Sequence, residues 1–177
     1  ENGQKEREGN YKDGKQDGLW TEWYENGQKR TEKNFKDDKM DGLSTLWYEN
    51  GKKEWEENYK DGKLDGLWTY WYENGQKAEE ATYKDGQPVT ALVWKPNGEK
   101  CPVTNLKDED GVVVTYYENG QKESESNYKN GKPDGLFTYW DEDGQKEIES
   151  NFKDGKEQGL ETVWYENGQK KWEVNMK

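Results

Sequence analysis

Apolar and polar positions alternate along most of this chain in short runs, each cut off by Asn-Gly or Asp-Gly. The clearest run is Gly66-Leu67-Trp68-Thr69-Tyr70-Trp71-Tyr72, rich in β-formers and aromatics and closed by Glu73-Asn74-Gly75. A second extended stretch, Gln76 to Lys84, ends at Asp85-Gly86. Aromatic and β-branched residues suit a pleated, half-buried surface, and Asn-Gly or Asp-Gly between two such runs is a strong hairpin signal. No segment has the amphipathic period of a helix. The unit recurs: Asn-Gly stands at Asn2-Gly3, Asn26-Gly27, Asn50-Gly51, Asn74-Gly75, Asn97-Gly98, Asn119-Gly120 and Asn167-Gly168, with Asp143-Gly144 as a variant. The steps between them are 24, 24, 24, 23, 22, 24 and 24 residues. A fixed period of this kind marks a repeat array, in which each unit buries its face only by stacking on its neighbours. The pattern predicts an all-β fold: an elongated, single-layer antiparallel meander of about eight hairpin repeats, or roughly 15 strands at two per unit.

Side-chain parity sets the expected loop length. Leu19, Thr21, Trp23, Leu43, Thr45, Trp47, Leu67, Thr69 and Trp71 are odd-numbered, as are Tyr11, Phe35, Trp55, Tyr59 and Tyr83 on the intervening strands. A three-residue Glu-Asn-Gly loop with a left-handed glycine pairs odd with odd and keeps all of these on one buried face. The same length is expected at the Asp-Gly turns. The opposite face then combines Trp20, Tyr24, Tyr48, Trp68, Tyr70 and Tyr72 with a glutamate column, Glu32, Glu56 and Glu80. Exposed aromatic area marks interaction surfaces and supplies hot spots, so these residues are the candidate binding site. One position on that face varies between units, as Trp20, Ser44, Trp68, Val113, Phe137 and Glu161, which suits a binding surface and equally a relaxed one.

One stretch departs from the repeat. Residues 85–111 are shortened at both links and gather Pro88, Pro96 and Pro102, which central strands tolerate poorly. Trp94 and Leu106 still occupy the repeat's apolar positions. The stretch reads as a degenerate unit that bends or offsets a single array spanning residues 1–177.

Composition changes the picture in two ways. Only 28% of residues are apolar, 37% are charged and the mean hydropathy is −1.60, values that by themselves point to disorder. Ten Trp and twelve Tyr at fixed repeat positions reverse that, and imply a thin folded object with a narrow apolar stripe. The net charge of −12 disfavours nucleic acid and anionic membrane surfaces and favours a basic protein or peptide partner. No apolar run is long enough for a membrane helix. The chain opens inside a repeat and shows no secretory leader, so upstream residues are expected; localisation stays open, with a secreted or surface-attached bacterial protein favoured over a cytoplasmic one.

Candidate chemistry is sparse. There is no histidine, and the one cysteine, Cys101, precedes Pro102 without a base to activate it. Carboxylates recur in every unit, as solvated positions do, which leaves a glycosidase-type pair a remote reading. Asp61-Gly62-Lys63-Leu64-Asp65-Gly66 superficially suggests a calcium loop but lacks its alternating ligands; tight turns account for it. No metal or cofactor is expected.

Gly18-Leu19-Trp20-Thr21-Glu22-Trp23-Tyr24-Glu25-Asn26-Gly27, preceded by Tyr11-Lys12-Asp13-Gly14-Lys15-Gln16-Asp17, resembles the MORN repeat in its bacterial variant form. That form is also the repeat of YwqK-type proteins, described as antitoxins. The likeness covers essentially the whole chain except residues 87–111. It implies a twisted single-layer sheet of stacked hairpins and an interaction role instead of catalysis. The reading is a non-catalytic scaffold for a protein or peptide, with carbohydrate or cell-surface binding through aromatics, toxin neutralisation and hydrolysis as alternatives. Unpaired strand edges at both ends allow end-to-end self-association.

Overall fold

The computed structural model describes residues 5–176. Its seventeen strands are β1 (Arg7–Glu8), β2 (Tyr11–Lys12), β3 (Lys15–Gln16), β4 (Gly18–Trp23), β5 (Lys29–Lys36), β6 (Lys39–Trp47), β7 (Lys53–Lys60), β8 (Lys63–Trp71), β9 (Lys77–Lys84), β10 (Gln87–Val93), β11 (Gly111–Tyr116), β12 (Lys122–Lys129), β13 (Lys132–Trp140), β14 (Lys146–Lys153), β15 (Lys156–Glu157), β16 (Gly159–Trp164) and β17 (Lys170–Met176). No helix occurs among the described residues. The chain is the expected antiparallel meander, but it forms two main sheets. One runs β1-β4-β5-β6-β7-β8-β9-β10 and the other β11-β12-β13-β14-β16-β17, with β15 on β14 and a separate β2-β3 pair.

The two turns of each unit differ. At Asn-Gly, Tyr24 N donates to Gln28 O (2.8 Å) and Gly27 N to Tyr24 O (2.9 Å), with Gly27 at φ 83°. That is the expected three-residue loop, and Asn26 Oδ1 braces it by accepting from Gln28 N (2.9 Å). At Asp-Gly the expectation fails. Lys60 pairs directly with Lys63, and Asp61 and Gly62 between them have φ 51° and 84°. Two left-handed residues in a two-residue loop make a type I′ turn, whose twist matches that of the strands it joins.

Bulges then change the parity. Trp23 pairs with Lys29 but Glu22 with Thr31, so Arg30 is an extra residue on β5. Along the middle of the ladder from β4 to β9 the pairs join odd to even: Thr21 with Glu32, Glu32 with Thr45, Thr45 with Glu56, Glu56 with Thr69 and Thr69 with Glu80. One inserted residue turns every later side chain to the other face. The intervening strands are therefore turned over relative to the expected arrangement. Glu32, Glu56 and Glu80 share a face with Leu19, Thr21 and Trp23. Phe35, Trp55, Tyr59 and Tyr83 share a face with Trp20, Trp68 and Tyr70, as the Trp20–Phe35 (6.2 Å) and Trp68–Tyr83 (6.5 Å) ring contacts attest.

The threonine–glutamate face is built of small ties. Each glutamate holds the lysine three residues before it, and that lysine lies over the tryptophan of the next unit: Lys53 Nζ is 2.5 Å from Glu56 and 5.8 Å from the Trp71 ring centre. Beneath this cover Thr21, Thr45, Thr69, Thr138 and Thr162 are buried, while Leu19, Leu43, Leu67, Leu136 and Leu160 are exposed. The leucine column is thus a surface column, not part of a buried stripe.

The degenerate stretch breaks the ladder. Its Asn97-Gly98 loop has ordinary geometry, with Gly98 N donating to Lys95 O (2.8 Å). No strand follows it. Residues 101–106 instead run as a strap between β10 and β11: Cys101 N donates to Val93 O, Leu106 O accepts from Ala91 N, and Asn105 N donates to Val112 O. Thr104 Oγ1 both accepts from Val114 N (3.0 Å) and donates to Val114 O (3.2 Å). The main core sits here, where Cys101 and Leu106 pack with Ala81, Ala91, Val93, Val113 and Val114.

Candidate binding cleft

Beside this core, at the join of the two sheets, lies a cleft of about 340 Å³. The first sheet supplies Trp55 from β7, Trp68 and Tyr70 from β8, Tyr72 just after it, Ala78 and Glu79 from β9 and Val93 from β10; the second supplies Thr115, Tyr116 and Glu123. The cleft depends on the bulged register. Direct partners form a row across the first sheet, Leu46–Trp55–Tyr70–Glu79–Val93, and direct partners lie on one face. With odd-to-odd pairing, Trp55 and Tyr70 would point to opposite sides.

The aromatic wall is preorganised. Trp68 and Tyr70 stack with ring centres 6.3 Å apart and planes 16° from parallel, and Tyr72 meets Tyr70 edge-on at 6.2 Å. Trp68 Nε1 donates to Glu57 (3.1 Å), which also accepts from Tyr59 Oη (2.8 Å). The Tyr48 and Tyr70 hydroxyls are 3.4 Å apart. Burial, first of all, raises the pKa of Tyr70 and Tyr72 above the ordinary tyrosine value.

The cleft is acidic. Glu79 sits in an otherwise apolar row, and no side chain among the described residues donates a hydrogen bond to it. Burial, and secondarily the Glu123 carboxyl on the facing sheet, push its pKa up to about 7. Tyr83 and Tyr128 flank it, and burial together with Glu79 raises both phenols. Glu123 accepts from Tyr139 Oη (3.0 Å). Among the described residues no lysine or arginine lines the cleft. Among the described residues no three His, Cys, Asp or Glu side chains converge as a metal site would require.

The residues singled out from sequence separate into four groups. Trp68, Tyr70 and Tyr72 line the cleft, although Tyr72 is almost fully buried and ties the sheets together through Trp94 O (2.9 Å) and Tyr116 O (3.3 Å). Tyr24 and Tyr48 are ties of the same kind, donating to Trp47 O (2.6 Å) and Trp71 O (2.7 Å) one unit along. Trp20 is at the first unit, against Tyr11 and Phe35, with its indole N–H on Asn10 O (3.2 Å). Glu32, Glu56 and Glu80 are on the opposite face and each holds a lysine, so they do not join the aromatics in one site.

Sequence reasoning passed over Trp55, Glu79 and Glu123. A signal for Glu79 existed. The repeat position before the glutamate column reads Arg7, Thr31, Trp55, Glu79, Ser124, Ile148 and Trp172, where Glu79 is the one acid.

The MORN repeat variant model matches residues 16–37, 40–61, 64–85, 109–130, 133–154 and 157–177. The chain belongs to the MORN repeat variant family. The first five matched segments each end in a turn, and the break in the series, residues 86–108, contains all of β10 and the strap. The cleft thus forms where the MORN series is interrupted. No curated protein matches the chain at a significant level.

Proposed function

We propose that this MORN-repeat scaffold is a non-catalytic binding protein that takes a basic segment of a protein or peptide in the junction cleft. The observation that carries the reading is the cleft's composition: stacked Trp68 and Tyr70 beside Glu79 and Glu123, with no basic side chain in the lining. Large, braced rings give contact area at low entropic cost, and an acidic, partly desolvated site attracts cations and rejects anions. The overall charge of −12 adds long-range attraction of the same sign preference.

The test is a fluorescence or calorimetric titration of the full chain with a short lysine-rich peptide, against a glutamate-rich peptide of equal length. Trp68→Ala combined with Tyr70→Ala should weaken binding of the basic peptide more than tenfold, about 1.4 kcal/mol or more. Trp20→Ala should leave it unchanged. Equal affinity for the acidic peptide, or binding untouched by the double substitution, refutes the reading.

A further inference from the structure

Glu79 is a carboxyl without a donor, set in the wall of an aromatic cleft. Glu79 is half-buried, and a donor brought by a ligand would replace the water that its partly desolvated carboxylate has lost. Glu123 closes on the same space from the second sheet, with one oxygen already held by Tyr139. Two acceptors therefore reach the cleft from two different sheets, and neither lies in a fork with the other.

We propose that the cleft is a pocket for one lysine side chain, with the ammonium between Glu79 and Glu123 and the methylene stem along Trp68 and Tyr70. This deepens the reading above and rests on it. The choice among cations follows from the donors each carries. A guanidinium is a planar fork that matches one carboxylate bidentately, whereas the ammonium is a compact charge whose three donors suit two separate acceptors. A trimethylammonium gains the cation–π attraction of the rings but brings no N–H to Glu79. The volume, about 340 Å³, is at the small end for a ligand site and fits a single side chain, not a folded surface element.

The experiment titrates the full chain with acetyl-Gly-Lys-Gly-amide and with the same tripeptide carrying norleucine, arginine or trimethyllysine. The tryptophan indole N–H resonances are the readout, assigned by Trp55→Phe and Trp68→Phe. The lysine tripeptide should move the Trp55 and Trp68 signals and bind at least tenfold more tightly than norleucine. Glu79→Gln keeps the shape and removes the charge, and should abolish that difference; Glu123→Gln should reduce it. Circular dichroism of both variants confirms that the sheets are intact. Equal affinity for lysine and norleucine, tighter binding of arginine or trimethyllysine, or shifts confined to other tryptophans each overturn the pocket. If the lysine-rich peptide still depends on Trp68 and Tyr70 in that event, the broader reading survives. If it does not, both fall.

Discussion

Replacing Glu79 by glutamine should stabilise the protein, and by an amount that grows with pH. The carboxyl is lifted from 4.5 to about 7 by burial between Tyr70 and Val93 and by the Glu123 carboxyl opposite. Each tenfold change in acidity is about 1.4 kcal/mol, so ionising this group inside the folded protein costs roughly 3 kcal/mol more than in the unfolded chain. Because the folded value is the higher one, the folded state holds the extra proton between those two limits. Wild-type stability from this group is then intact below about pH 4.5, falls as pH rises and reaches its full loss above about pH 7. Glutamine does not ionise, so the variant escapes the loss but must still house an amide. The net gain should be about 1–2 kcal/mol at roughly pH 8.5 and close to zero at roughly pH 4.5. The assay is urea unfolding of both proteins at the two pH values, followed by tryptophan fluorescence. An equal difference at both pH values, or a loss of stability at the higher one, would refute the placement of Glu79.

The other expectations concern the frame. Gly66 has φ 117° and an added Cβ would stand 3.2 Å from the Asn58 Cβ, so Gly66→Ala should cost about 1–3 kcal/mol in urea unfolding. Ser44 Oγ is buried without a hydrogen-bond partner, so Ser44→Ala should be neutral or stabilise by about 1 kcal/mol, read as a rise in melting temperature. Tyr48→Phe removes the tie to Trp71 O and should lower stability by about 1 kcal/mol, whereas Tyr165→Phe, whose hydroxyl makes no such tie among the described residues, should change nothing measurable in the same melt.

The architecture was legible in the sequence because the signals that set it are local and repeated. Asn-Gly, Asp-Gly and the aromatic runs each dictate a turn or a strand without reference to distant residues, and their period dictates the meander. What was not legible was which side chains share a face, and the cause can be named. Face assignment is a running parity, so it accumulates every extra residue between one strand and the next. A three-residue loop at Asn26-Gly27 was inferable from turn chemistry, but the bulge at Arg30 has no signature of its own, and neither has the wider irregularity at Asn34, where the side chain bonds Leu43 O (2.7 Å) in place of a ladder pair. The two-residue turns at Asp37-Asp38 and Asp61-Gly62 add a further change. An odd number of unseen insertions moved Glu32, Glu56 and Glu80 away from Trp68 and Tyr70 and brought Trp55 and Glu79 to them.

That same arithmetic explains why the candidate cleft lies at the irregular stretch. Within the regular units the recurring polar columns are largely satisfied by their neighbours, Ser44 Oγ being an exception: tyrosine hydroxyls by the carbonyls one unit along, lysines by glutamates, threonines by the lysine cover. A repeating surface has little room for an unsatisfied group, since a defect in the unit would recur along the array and its cost would be multiplied. The strap at 101–106 ends the ladder once, turns two sheet faces toward a common space, and lets a single carboxyl stand in a row that is otherwise Leu46, Trp55, Tyr70 and Val93. The repeats provide rigidity, and the interruption at residues 86–108 provides the asymmetry that the proposed selective binding requires.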